Sequence, residues 1–255
     1  MALGLLYRIY ERNLRTGLDP QRLPNHIGVV LDGHRRHARA EGLASYTDSY
    51  REGMSRFEDF LGWADDLKIK AVTAWVLSPE NLSRPAEELE PYFDVLIDLF
   101  DRLPEACARY DMALKFIGSL DLLPRHLVEA AKNAEERHPD GRRRLNVAMG
   151  YGGRQEIVDA TKDLVAKLAD EGVPAAEIAD HIDAKSLAGH MYSADLPDAD
   201  LIIRTSGESR LSGFLLWQSA YSEFVFVDVN WPAFRRVDFL RALRDYEGRT
   251  RRFGQ

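Results

Sequence analysis

One cysteine, Cys107, stands in 255 residues, so the chain has no internal partner with which it could form a disulfide. A disulfide framework is excluded, and a reducing cytoplasm is the expected setting. Long apolar runs are missing too: none approaches the roughly 18 residues that span a bilayer. The first residues show neither the apolar core nor the small-residue cleavage site of a signal peptide. Nor is there an excess of positive charge, since the formal net charge is −7. A chain that gripped nucleic acid in bulk would be basic, so nucleic acid is set aside as a partner. Repeats, low-complexity stretches and linker-like runs are absent as well, which points to one domain.

What is present fits an enzyme-sized α/β fold. Hydrophobic residues make up 45% and charged residues 29% of the chain, enough for a buried core under a solvated surface. An acidic protein that handles anionic substrates must concentrate its arginines locally. Residues 2–15 (ALGLLYRIYERNLR) read as an amphipathic helix, with Leu5, Leu6, Ile9, Tyr10 and Leu14 on one face. This segment is expected to pack on the body or on a partner subunit, with at most peripheral membrane contact. Pro20 and Pro24 then break the chain, dividing a lead segment, 1–24, from a main domain, 25–255.

From there short apolar runs alternate with helical patterns. HIGVVLD (26–32), KAVTAWVLS (70–78), LKFIGSL (114–120), LNVAMGY (145–151), ADLIIRTS (199–206) and FVFVDV (224–229) read as strands. Helices are expected over 49–68, 85–103 and 153–172, between the third and fourth strands, and from Trp231 to the end. Apolar strands alternating with helices imply a central, mostly parallel sheet covered by helices on both faces. Ligands of such sheets bind at the carboxyl ends of the strands.

Three polar clusters sit at predicted strand ends. The first is Asp32-Gly33-His34-Arg35-Arg36-His37-Ala38-Arg39. Free N–H groups at a helix start, with the forks of Arg35, Arg36 and Arg39, would cradle a diphosphate. Asp32 beside them would suit Mg2+, which prefers carboxylate and phosphate oxygens. A solvated helix start capped by Asp32 reads equally well from the residues alone. The second cluster, Arg204 to Ser212, offers two arginines and four hydroxyls, with Glu223 just beyond. Two anion cradles fit a transferase with two anionic substrates better than a one-substrate hydrolase. The third, Ser78-Pro79-Glu80-Asn81-Leu82-Ser83-Arg84-Pro85, supplies a hydroxyl, an amide and a guanidinium. Behind it the helix 85–103 is expected to be mostly core, with one stripe facing a ligand.

These segments resemble the undecaprenyl diphosphate synthase family of cis-prenyltransferases. HIGVVLDG, SPENLSRPAEEL, NVAMGYGGRQEIVDA, DLIIRTSGESRLSGFLLWQSAYSEF and the terminal RRFG carry the likeness from about His26 to Gly254. It is greatest to the short-chain Z-farnesyl diphosphate synthases of actinobacteria. The resemblance implies one catalytic domain with an apolar tunnel, a homodimer, Mg2+ and no nucleotide cofactor. It also implies isopentenyl diphosphate and an allylic diphosphate as substrates, joined through a new Z double bond. By the same likeness Asp32 would bind Mg2+ with help from Glu223. Gly33, Arg36 and Arg39 would hold the allylic diphosphate, while Arg204, Arg210 and Ser212 would hold isopentenyl diphosphate. Ser78, Asn81 and Arg84 would lie near the reacting carbons, and Glu88 near the subunit contact. Arg252-Phe253-Gly254 would reach across the dimer to a diphosphate.

The first cluster departs from the family's Asp-Gly-Asn-x-Arg-Trp: His34 stands for Asn and His37 for Trp, and Ser49-Tyr50 stands for Gly-His. His34 in the place of Asn would titrate near neutral pH and leave a limb in the rate profile at roughly pH 6–7. Asp32, His34 and His37 find no further ligand for a transition metal in the sequence. Besides regular coupling, the altered motif leaves room for an irregular relative that couples head-to-middle or cyclises, and for a non-catalytic subunit. Val76 and some of the bulky Tyr92, Phe93, Leu96 and Phe100 are expected to floor the tunnel and to stop growth at a short product, the alternative being that these side chains are buried core.

Overall fold

The computed structural model describes residues 2–249, and of residues 2–5 the backbone alone. The Arg252-Phe253-Gly254 tail lies outside the described residues. The six expected strands form β1 (His26–Val30), β2 (Ala71–Leu77), β3 (Met112–Ile117), β4 (Arg143–Met149), β5 (Leu201–Arg204) and β6 (Glu223–Phe226). They make one sheet in the order β3-β4-β2-β1-β5-β6, and every neighbouring pair is parallel. β1 and β2 are buried along their whole length. Both faces are therefore covered, which is why these strands read as continuous apolar runs rather than alternating ones.

The helices are α1 (Ala2–Gly17), α2 (His34–Ala40), α3 (Tyr46–Asp66), α4 (Ala86–Tyr110), α5 (Arg125–Arg137), α6 (Gly153–Asp170), α7 (Ala184–Ala188) and α8 (Arg236–Glu247). One face of the sheet packs against α3, α4, α5 and α8 through Phe57, Phe60, Leu96, Leu99, Leu127 and Phe239. On the other face Val30, Trp75, Ile202, Tyr151, Phe214 and Leu215 form a second cluster. α1 lies along α8, where Arg236 pairs with Glu11 at 3.4 Å and Leu14 is buried. No helix among the described residues is long and apolar enough to cross a membrane.

Two helices differ from expectation at a proline. α4 runs past Pro104 to Tyr110 instead of stopping at Leu103. A proline there forfeits one backbone hydrogen bond. Leu103, Pro104 and Cys107 are all buried, and that burial outweighs the loss. At the other end Trp231–Ala233 forms a separate tight turn, and α8 begins only at Arg236. The Asp238 carboxylate accepts from the Arg235 backbone N–H at 3.1 Å and caps the new start.

Candidate active site

The three polar clusters meet because β2, β1 and β5 are neighbours in the sheet. Each cluster follows the carboxyl end of one of these strands, so a single cleft of about 690 Å³ collects them. Asp32, Gly33, His34, Arg35, Arg36, Arg39, Ser78, Asn81, Arg84, Arg204 and Ser212 line it.

After β1 the chain turns at Gly33, with φ 108°. A Cβ there would sit 2.5 Å from Asn230 Oδ1 and 2.9 Å from the Asn230 Cα, so conformation and space both demand glycine. α2 then starts at His34, and its first N–H groups have no acceptor within the helix. Thr205 is fully buried and pins this turn to β5. Its Oγ1 donates to the Asp32 carbonyl at 2.7 Å and accepts from the Asp32 N–H at 3.1 Å.

Charge is tightly organised around Asp32. Its Oδ2 accepts from Arg204 Nη2 at 2.9 Å, and its Oδ1 lies 4.0 Å from Arg36 Nη2. Arg204 also donates to Ser212 Oγ at 2.8 Å and to the Arg210 carbonyl, tying the first cluster to the second. Its Nε is buried without a partner. Arg36 donates to the Ser206 carbonyl and to Glu208, each at 2.8 Å. Arg35 and Arg39 stack their guanidinium groups on Tyr46, 5.3 and 5.8 Å from its ring centre. Opposite them, Glu88 gathers Tyr50 (2.7 Å), Arg84 (3.2 Å) and Arg35 (3.7 Å). Ser78 and Asn81 cap the turn that follows β2, each side chain serving the other's backbone N–H at 3.3 Å.

Two expected members stand apart. The Arg210 guanidinium is exposed and pairs with Glu208, away from the cleft wall. Glu223 opens β6 in register with Leu201, whereas Arg204, at the cleft, is in register with Phe226. Three strand residues, about 10 Å, therefore separate Glu223 from the sheet end that holds Asp32. It pairs with Arg249 at 2.8 Å. Within one chain Glu223 therefore stands apart from Asp32.

The candidate floor residues divide into two groups. Tyr92 and Val76 line the cleft, but Phe93, Leu96 and Phe100 are core. Between Trp75 and Leu77 the pairing with β4 shifts, leaving Val76 as an extra, bulged residue. Its freed carbonyl accepts from the Tyr92 hydroxyl at 2.5 Å. The Tyr92 ring packs against Tyr50 at 4.4 Å and Tyr50 against His34 at 5.3 Å, each pair tilted by more than 40°. Trp75, Tyr50 and Glu80 line the cleft without having been singled out as site residues.

The two histidine rings pack against α3. His37 Nε2 meets Glu52 at 2.8 Å. The His34 ring packs where a Cβ on Gly53 would stand 2.2 Å from its Nε2. Burial drives the His34 pKa from 6.5 down to about 4, although the nearby Asp32 carboxylate pulls the other way. Burial thus places the His34 titration below the neutral range expected from its residue type. The unfolded chain binds this proton below pH 6.5 and the folded chain only near 4, so stability is complete above 6.5 and falls as pH drops toward 4. Between pH 7 and 4.5 the loss should be about 2–3 kcal/mol by the one-unit rule of 1.36 kcal/mol. Urea unfolding at both pH values should show that slope, and His34→Asn should lose it. The pH–rate profile between pH 6 and 8 should be alike in both proteins; a limb that vanished with His34 would contradict the burial argument.

Among the described residues no three His, Cys, Asp or Glu side chains converge into a metal cage. Asp32 and Glu80 are the carboxylates on the cleft wall. One acidic side chain, Asp32, among several arginines suits Mg2+, which completes its shell with water and phosphate oxygens, and does not suit zinc.

The family model for undecaprenyl diphosphate synthases matches residues 30–254. The (2Z,6E)-farnesyl diphosphate synthase of Thermobifida fusca is 48% identical over 252 residues, covering 98% of this chain and 97% of that protein. The geranylgeranyl-diphosphate-specific tritrans,polycis-undecaprenyl-diphosphate synthase of Methanopyrus kandleri is 46% identical, covering 100% and 93%. Lavandulyl diphosphate synthase from Lavandula x intermedia, crystallised with dimethylallyl diphosphate, superposes with a TM-score of 0.85 at 31% identity. That match covers 92% of this chain and 100% of that one.

Proposed function

This chain belongs to the undecaprenyl diphosphate synthase family of prenyltransferases, and on that premise we propose that it condenses isopentenyl diphosphate with an allylic diphosphate into a short Z-prenyl diphosphate. The observation that carries the reading is the convergence of two arginine clusters on one cleft with an apolar floor. Arg35, Arg36, Arg39 and the free N–H groups at the start of α2 hold the allylic diphosphate. Arg204 and Ser212 hold the second diphosphate, and Arg210 swings in from the loop edge. The C–O bond of the allylic diphosphate breaks as the arginines take up charge on the departing group. The double bond of the second substrate attacks the allylic carbon, a C–C bond forms, and one proton leaves the adjacent carbon. Tyr92, Val76 and Leu77 keep water from the electron-poor carbon. Mg2+, held by Asp32 and by diphosphate oxygens, would add charge stabilisation to the leaving group.

The same reading makes the active form a homodimer, with the Arg252-Phe253-Gly254 tail completing the partner's diphosphate site. A second reading is irregular coupling of two allylic diphosphates. It draws support from His34 in the first cluster and from the dimethylallyl diphosphate in the lavandulyl diphosphate synthase structure. One experiment tests both. Dimethylallyl, geranyl and farnesyl diphosphates are each incubated with Mg2+, with and without isopentenyl diphosphate. Regular coupling yields products only when isopentenyl diphosphate is present, with Z geometry by NMR. Product from dimethylallyl diphosphate alone would favour irregular coupling, and no product at all would remove both.

A further inference from the structure

We propose that Trp75 is a specificity-determining residue: its indole walls the space for the hydrocarbon part of the non-allylic diphosphate and fixes the loop that carries Ser212. The proposal rests on the prenyl-transfer reading above and adds to it the surface that measures the second substrate.

Trp75, Val30 and Arg204 lie in one row across the sheet. Val30 is in register with Trp75 on one side and with Arg204 on the other. Registered residues of parallel strands point to the same face, and Trp75 and Val30 share the cluster that includes Phe214. Arg204 is thus two strand spacings from Trp75, about 10 Å. A diphosphate held by Arg204 and Ser212 would lay a five-carbon chain over Val30, with its end against the indole. Val76, the next residue, belongs to the opposite core cluster, beside Tyr92 and Tyr50. The cleft consequently has two apolar walls on opposite sides of the strand ends, one for each hydrocarbon.

The indole is held on three sides. Its ring is parallel to Phe214 within 7°, at 5.2 Å. Its Nε1–H donates to the Tyr151 carbonyl at 3.1 Å, and its edge contacts the Tyr151 ring at 88°. Phe214 is fully buried and stands two residues beyond Ser212. The stack therefore links the wall to the phosphate loop, and a wall so fixed cannot retreat from a longer chain.

The test compares kcat/KM for isopentenyl diphosphate with that for its 3-ethyl homologue, one carbon larger, at a fixed allylic substrate. Wild type should disfavour the homologue by about 10–100-fold, the range for one surplus methylene in a close-fitting pocket. Trp75→Leu should narrow that ratio at least tenfold and leave the number of units in the product unchanged. Trp75→Phe keeps the stack on Phe214 while freeing the volume of the second ring. It should narrow the ratio about threefold, and it decides the matter where Trp75→Leu does not fold. An unchanged ratio in a folded variant overturns the proposal. So does a variant that keeps the ratio but lengthens the product, because Trp75 would then face the allylic chain. A wild type that couples no isopentenyl diphosphate at all overturns the regular-coupling reading and this inference with it.

Discussion

Replacement of Asp32 by alanine is expected to lower turnover about a thousandfold, or about 4 kcal/mol of transition-state stabilisation, while the protein remains folded. The fold should survive because Asp32 follows β1 on the cleft wall, outside the apolar core. Arg204 would lose one acceptor but keep Ser212 Oγ and the Arg210 carbonyl. That loss costs about 1–3 kcal/mol of stability. Asp32→Asn separates charge from hydrogen bonding. Its amide oxygen can still accept from Arg204, yet it offers a cation no negative charge. If Asp32 supplies charge to a Mg2+–diphosphate pair, both variants lose kcat, and excess Mg2+ fails to restore it. If it only holds Arg204, Asp32→Asn should keep kcat, and Asp32→Ala should mainly raise KM for isopentenyl diphosphate. Near-normal kcat in both variants, with intact thermal melting, would remove Asp32 from the chemistry.

The strands were legible for a physical reason. A strand buried on both faces is mostly apolar, so β1, β2 and the second half of β4 stand out as runs bounded by polar loops; the buried His26 and Thr73 satisfy each other at 2.8 Å. What those runs could not say is their order. Asp32, Ser78 and Arg204 meet only because β1 lies between β2 and β5, and no local pattern encodes that. The same limit explains Glu223: proximity to the second cluster in sequence does not tell which end of β6 it occupies. His34 was readable as a residue type, but its pKa is set by burial beneath Tyr50 and against Gly53, which is tertiary information. Trp75 was hidden inside an apolar run. A clue was available at Tyr92, whose hydroxyl, on the apolar side of a buried helix, had to find an acceptor. The bulge at Val76 supplies it.

Chain length should be set by that contact. Tyr92 and the bulged Val76 close the cleft between α4 and β2, so a growing chain that reaches them must break the Tyr92 hydroxyl's bond or compress packed side chains. Overfilling such a site costs about 1–3 kcal/mol, enough to stop the next unit and hold the product to about ten to fifteen carbons. Identity to relatives does not decide this. Proteins named for farnesyl and for undecaprenyl products stand at 48% and 46%. Val76→Ala and Tyr92→Ala, singly and together, should lengthen the product by at least one isoprene unit, read by mass spectrometry. Tyr92→Phe removes only the hydroxyl and should broaden the distribution less. Phe93→Ala and Leu96→Ala are the controls, because both side chains lie in the core and off the cleft wall. They should cost about 2–5 kcal/mol of stability and leave the product unchanged. Longer products from Phe93→Ala or Leu96→Ala, with none from folded Val76→Ala or Tyr92→Ala, would place the floor elsewhere along α4. Longer products from Tyr92→Ala alone would instead show that the tilted ring contact of Tyr92 with Tyr50, and not the bulge, bears the end of the chain.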